Sequence, residues 1–170
     1  MKLPAEFFDR DVLFVAPELV GKLLVRKTDD GEVVKLRISE TEAYRGEEDK
    51  ACHASKGRTP RTEVMYKYPG SIYIYLIYGM YWMLNIVTEK ENVPQAVLIR
   101  SAGDYGGPGK LTKALKITKD LNSLNISDCS LLWIEDDGYV PDIAVAPRIG
   151  VDYAGEEWAL KPWRYIDKRN

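Results

Sequence analysis

Residues 32–44 alternate with a period of two and end in Ile38-Ser-Glu-Thr-Glu-Ala-Tyr44. That period commits a segment to a β-strand. Asp29-Asp30-Gly31 supplies a turn ahead of it, so residues 22–28 and 32–44 read as a hairpin. Side chains two apart share one face of a strand, which places Glu40, Glu42 and Tyr44 on the face of Ile38. Two acids and a tyrosine make poor core and a good site. At roughly 3.3 Å of rise per residue the two carboxylates would stand about 7 Å apart, a separation compatible with acid–base work on a glycosidic bond. Only one of the pair need do chemistry, and a solvated strand face is the plain alternative.

The rest of the chain is mostly short strands with a few short helices. Residues 71–78 and 81–88 read as a second hairpin with Gly79-Met80 near its tip, residues 95–101 as a further strand, and 130–135 and 143–151 as later ones. One helix falls within residues 12–20, with Pro17 at an early position and Gly21 as its stop; a second starts at Thr59-Pro60, with Thr59 as cap; a third lies near 110–117, after a glycine-rich loop at 103–109. The 170 residues suffice for one domain with a real core, so residues 1–170 are taken as a single mixed α/β (α+β) domain. No apolar run reaches the roughly 18 residues of a membrane span. The N-terminal segment lacks the apolar core of a signal peptide, so no membrane and an intracellular location are expected.

The charge is small overall and uneven along the chain. The net value is −2, yet residues 52–116 carry 9 basic and 4 acidic side chains. A polyanion responds to the local field more than to the total. Within it, residues 66–81 hold six of the 11 tyrosines: Tyr66, Tyr68, Tyr73, Tyr75, Tyr78 and Tyr81. Each buried tyrosine hydroxyl needs a partner, so a plain core would use phenylalanine, valine and isoleucine instead. Tyrosines near a hairpin tip can stack on bases or wedge between them. A half-buried strand with wet hydroxyls is the bland alternative.

His53, the only histidine, follows Cys52 in a basic loop that also carries Arg58 and Arg61. The two arginines flank the expected helix start at Thr59-Pro60, and both features favour phosphate. With one histidine and two scattered cysteines, Cys52 and Cys129, neither a disulfide framework nor a zinc set is expected. Gly106-Gly-Pro-Gly-Lys-Leu111 lacks the glycine and the serine or threonine of a P-loop. It reads as a loop into a helix start with Lys110 near a phosphate.

Taken in order, these segments resemble the alkyladenine (3-methyladenine) DNA glycosylases. The resemblance is carried by Glu40-Thr-Glu-Ala-Tyr44, Asp49-Lys-Ala-Cys-His53, Gly57-Arg-Thr-Pro-Arg61 and Tyr73-Ile-Tyr-Leu-Ile-Tyr-Gly-Met80 with Asn85. Val97-Leu-Ile-Arg100, Gly107-Pro-Gly-Lys-Leu111 and Pro147-Arg-Ile-Gly150 complete it, over nearly the whole chain. It implies a compact domain with a curved antiparallel sheet and a protruding β-hairpin. It also implies an enzyme that flips alkylated or deaminated purines out of double-stranded DNA and hydrolyses their bond to sugar, with no metal and no cofactor. By the same resemblance Glu42 is the general base, with Arg100 near the water and the DNA backbone. Tyr44, His53 and Tyr75 line the base pocket, and Asn85 limits which purines fit. Tyr78, with Met80 beside it, is the wedge into the duplex. A monomer suits a wedge that approaches from one side.

Two departures stand out. Only Ser-Ala-Gly-Asp-Tyr-Gly separates Arg100 from Gly107, where relatives are expected to carry a longer insertion, and the chain is net acidic. Both point to modest DNA affinity. The rival readings are a non-catalytic nucleic-acid-binding module, which leaves Glu42 without a task, and a free-nucleoside hydrolase, which leaves Arg58, Arg61 and Lys110 without one.

Overall fold

The computed structural model describes residues 1–169. Helices α1 (Ala5–Phe8) and α2 (Val12–Leu19) lead into a hairpin of β1 (Leu23–Lys27) and β2 (Val33–Arg45). A second hairpin, β3 (Ile72–Ile77) and β4 (Tyr81–Thr88), is followed by β5 (Gln95–Ala102) and the short β6 (Tyr105–Gly106). Then come α3 (Pro108–Ala114), β7 (Leu132–Glu135), β8 (Ile143–Ala146), α4 (Glu156–Ala159) and β9 (Arg164–Asp167). Among the described residues nine strands form a single sheet, in the order β3-β4-β5-β2-β1-β7. β6 lies on β5, and β9 bridges β2 and β8. Every pairing is antiparallel. The fold is thus the mixed α/β arrangement expected, dominated by one large antiparallel sheet. No helix is long and apolar enough to cross a membrane among the described residues.

One face of the sheet is covered by α2 and α3. Ile72, Ile74, Leu84, Ile86, Val97 and Ile99 point into a core shared with Val15, Leu19, Leu111 and Leu115. Thr41 also faces this side, where its hydroxyl donates to the Ala16 carbonyl at 2.7 Å. The opposite face carries Tyr73, Val87 and Ala96, which pack with Cys52, Ala54, Val64, Met65 and Tyr66 of the segment between the hairpins. Both faces of the central strands are therefore dry.

Here the expectation for β2 needs correction. Ile38 belongs to the helix-covered core, as does Ala43, so Glu42 and Tyr44 do not share its face. The β2–β5 register is irregular at Ile38/Glu40 and again at Glu40/Thr41. Across that irregularity the core-facing phase switches from even to odd numbers on β2, and β5 makes the matching switch between Ala102 and Ile99. A bulge of this kind re-aims side chains. Here it lets one strand feed the core at both ends and turn Glu42 outward from it.

Three further expectations shift. Thr59-Pro60 starts no α-helix. Thr62 N–H donates to the Thr59 hydroxyl at 3.2 Å and Thr59 N–H to the Thr62 hydroxyl at 2.9 Å, which closes a tight turn ahead of a 3-10 turn at Glu63–Tyr66. Threonine side chains compete with helical backbone bonds in this way. Pro17 lies in the last turn of α2 rather than early in it, and Asp11 caps that helix by accepting from Leu13 N–H at 2.9 Å. The strand expected at 143–151 stops at Ala146, where Pro147 has no N–H for the ladder.

Candidate active site

Pairing across the sheet aligns Glu42 on β2 with Leu98 on β5, Leu98 with Asn85 on β4, and Asn85 with Tyr73 on β3. Directly paired residues share a face, so this row runs across the side away from the helices. Tyr44, two residues along β2, and Tyr75, two along β3, belong to the same side, packed against the segment between the hairpins. The sequence-predicted residues of β2, β3 and β4 are thereby gathered on one surface.

Glu42 is its centre. The side chain is fully buried, and both oxygens are engaged. Oε1 accepts from the Tyr44 hydroxyl at 2.8 Å and Oε2 from the backbone N–H of Ile149 at 2.8 Å. The Arg100 guanidinium lies 3.9 Å from Oε2 and 3.5 Å from Glu40. Burial raises the Glu42 carboxyl above the ordinary carboxylate value, against the opposing pull of the Ile149 bond, Arg100 and Tyr44. Glu40 instead sits between Arg100 and Arg164, the latter 3.6 Å away. Of the two acids, the one further along the strand is desolvated and the other is ion-paired.

His53 opens a 3-10 turn, His53–Lys56, and its Nδ1 lies 3.0 Å from the Tyr73 hydroxyl. Its ring meets that of Tyr75 at 4.4 Å between centroids, and Tyr75 meets Tyr73 at 5.4 Å. Burial, with Arg61 and Lys56 nearby, lowers the imidazole to about 4, so it is neutral at physiological pH. Burial drives the Tyr44 and Tyr75 phenols well above their usual range, so both remain protonated. The Cys52 thiol is pushed up to about 12 by burial and stays protonated. Asn85 is buried, and its amide makes long bonds to the Tyr73 and Met83 carbonyls at 3.3 and 3.4 Å.

The expected DNA contacts divide. Tyr78 and Met80 sit at the tip of the β3–β4 hairpin, 85% and 65% exposed. Tyr78 has φ 54 and Gly79 φ 67. A bulky residue in that left-handed region is costly, and here it lies in the tight turn that closes the hairpin. Arg61 lies over the Tyr75 ring at 5.4 Å. Lys110 is exposed on α3, beside Gly109, where an added Cβ would come within 2.7 Å of Tyr81, next to the hairpin's tip. Arg58 differs from expectation: Glu63 grips it with two bonds of 2.7 and 2.8 Å, and it stacks on Tyr66. Its charge is already matched, and the helix terminus expected beside it is absent.

Arg148 and Asp49 were not assigned from sequence, although both lie in motifs singled out there. They form a buried two-pronged ion pair at 2.6 and 3.0 Å. The part Ile149 plays carries no side-chain signal, because it contributes only a backbone N–H. Two clefts of about 420 Å3 each open elsewhere, one by Arg26, Thr28 and Lys116, the other by Pro17, Tyr139 and Val140. Neither includes a member of this cluster. A desolvated acid with aimed donors beside clustered rings is the stronger mark of a site. Among the described residues no group of three or more His, Cys, Asp or Glu side chains could hold a metal ion.

Comparison with known proteins identifies the family. The family model described as Methylpurine-DNA glycosylase (MPG) matches residues 6–104 and 105–170. A relative from Methanocella arvoryzae, named "Putative 3-methyladenine DNA glycosylase", is 50% identical over 99% of this chain and 93% of its own length. Identically named relatives from Psychrobacter cryohalolentis and Desulfitobacterium hafniense are each 43% identical, over 94% and 96% of this chain and 89% and 94% of their own lengths. The alignment with the Methanocella relative runs over 188 positions, more than this chain's 170 residues, and the family match breaks at 104/105, within the short segment after Arg100. The chain belongs to the methylpurine-DNA glycosylase family: it is a DNA glycosylase, an enzyme of base excision repair.

Proposed function

We propose that this glycosylase swings an alkylated or deaminated purine nucleotide out of duplex DNA and hydrolyses its N-glycosidic bond with a water activated by Glu42. One observation carries the reading. A fully buried carboxylate, held by donors on both oxygens, lies on the same side of the sheet as a cluster of three rings, His53 edge-on to Tyr75 and Tyr73 tilted against it.

A base in the duplex is out of reach, so it must leave the stack, at a cost of a few kcal/mol that damage reduces. Tyr78 offsets part of this by stacking in the gap, a contribution of about 1–3 kcal/mol. The two terms nearly balance, so a weakly paired base tips the equilibrium outward. The flipped base is received among Tyr44, His53 and Tyr75. A neutral imidazole does not repel an alkylated, cationic purine, and tyrosine faces attract cations. As the bond to sugar stretches, the Glu42 carboxylate opposes the positive charge developing on the sugar and takes a proton from the attacking water. General base catalysis of this sort supplies about 10²–10⁴-fold. Glu40 faces Arg100 and Arg164 and takes no part in proton transfer. The cations nearest Glu42 are the arginines Arg100 and Arg148. The Schiff base of a strand-cleaving route needs a lysine amine, so the product is an abasic site in an unbroken strand.

The test is incubation with a duplex carrying one 3-methyladenine or one hypoxanthine. Abasic sites, revealed as strand breaks only after alkali, are expected. Tight binding of that duplex with no base released would instead make the chain a binding module.

A further inference from the structure

We propose that Arg148, locked to Asp49, is the positioning residue for the Glu42 carboxylate, fixing the direction of both donors that hold its oxygens. The inference rests on the reading of Glu42 as the base. Arg148 touches each arm of the Glu42 cradle. Ile149, its chain neighbour, donates to Oε2 at 2.8 Å. The Arg148 guanidinium stacks 5.0 Å from the Tyr44 ring, whose hydroxyl donates to Oε1. Between them, Arg148 Nη1 donates to the Ala43 carbonyl at 3.0 Å, gripping β2 between the two site residues. Its other face meets Trp163 at 5.0 Å, and Nη2 reaches the Trp158 carbonyl at 3.0 Å. Asp49 accepts from the Arg45 and Ala51 N–H groups, which closes the loop leading to His53.

The pair is a poor device for stability alone. Both side chains are fully buried, and apolar replacements for buried ion pairs are often as stable or more so. Arg148 Nε moreover has no hydrogen-bond partner, a cost that a well-satisfied core avoids. What a two-pronged arginine–carboxylate pair supplies that apolar packing cannot is fixed orientation. It ties three separate segments together: the loop after β2, β2 itself and the turn at 147–149. Those segments meet at Glu42.

The titratable and charged groups facing Glu42 are Tyr44 on its own strand, Arg100 on β5, Tyr75 on β3, Tyr153 in the 152–154 turn, and Arg148. Of these, Arg148 alone bears on both hydrogen-bonded oxygens. Arg148→Lys keeps the charge and loses the fork. At saturating duplex, single-turnover base release is expected to fall about 10²-fold, the scale of a misplaced catalytic group, with duplex affinity unchanged. The acid limb of the pH–rate profile is expected to move up by about one pH unit, the size of a lost hydrogen bond to a charged group. Asp49→Asn, nearly isosteric, is expected to move rate and limb in the same directions by less. Tyr44→Phe, which removes one donor and spares the ion pair, calibrates the limb shift. A purely structural pair would lower the melting temperature and leave rate and limb as in the wild type. That result in Arg148→Lys overturns the inference, as does a wild-type limb in Asp49→Asn should Arg148→Lys not fold. Glu42→Gln separates the two ideas. If it releases base, the site reading itself fails; if it is inactive while Arg148→Lys behaves as wild type, only the positioning role falls.

Discussion

On one side of β5, Val97 and Ile99 pack under the helices; on the other, Leu98 and Arg100 lie beside Glu42 and Glu40. The same strands thus bury two unlike surfaces. Toward α2 and α3 the residues are aliphatic, and a polar intruder such as Thr41 is satisfied by the Ala16 carbonyl. Toward the 46–66 segment the residues are tyrosine, asparagine and a buried acid. There, burial costs the carboxylate more than its donors return, as the raised Glu42 carboxyl shows. Exclusion of water stabilises the fold on the first face. On the second it raises a carboxyl and keeps an imidazole neutral.

The contrast is sharpest under substitution. Ile99→Ala, on the aliphatic face, should cost about 2–5 kcal/mol of unfolding free energy. Chemical denaturation measures it, and each folded molecule should retain its base-excision rate. A loss below 1 kcal/mol would mean that the two faces do not divide as described. Next in size is Tyr78→Ser at the exposed hairpin tip. It should weaken the flipped state by about 1–3 kcal/mol and leave the melting temperature unchanged. Fluorescence of a base analogue beside the lesion reads this directly, and a wild-type flipping equilibrium would remove the wedge.

The pH behaviour distinguishes the faces again. His53 is the only histidine, so its imidazole resonances are unambiguous in an NMR titration. A midpoint near 4 is expected, in place of the ordinary imidazole value of 6.5. A lowered histidine value means the fold favours the neutral ring. This contribution to stability is present above 6.5 and is lost as pH falls toward 4. Glu42 has the opposite sense: its raised carboxyl makes the fold more stable when protonated, and that contribution is lost as pH rises through the raised value. A titration midpoint for His53 near 6.5 would show that water reaches this face. The smallest effect is expected from Arg58→Gln. Glu63 already neutralises the guanidinium, so the salt dependence of duplex binding should keep its slope. Loss of a phosphate contact would flatten it by about one.

Much of the architecture is legible in the sequence because it is local. The hairpin at Asp29-Asp30-Gly31 and the one tipped by Tyr78-Gly79-Met80 follow from alternation plus turn residues. The placing of Glu42, Tyr44, Tyr73 and Tyr75 on one surface was half legible. The i, i+2 spacing within each strand is local, whereas the register between strands is not. The Ile38–Thr41 irregularity was invisible because it exists only in the pairing of β2 with β5. β9 is four residues long, too short to declare itself before β2 and β8 close around it. Arg148 and Asp49 are 99 residues apart and meet only in the fold. The pairing of Arg58 with Glu63, five residues on, was not legible either, because it depends on how the turn folds back.

Everything turns on whether the buried acid of β2 does the chemistry. The most direct measurement is single-turnover release of base from a duplex with one 3-methyladenine or hypoxanthine, comparing the wild type with Glu42→Gln at equal duplex occupancy. The account predicts a loss of about 10²-fold or more, with duplex affinity retained and a melting temperature no lower than the wild type's. Release at the wild-type rate by the folded glutamine variant would contradict it.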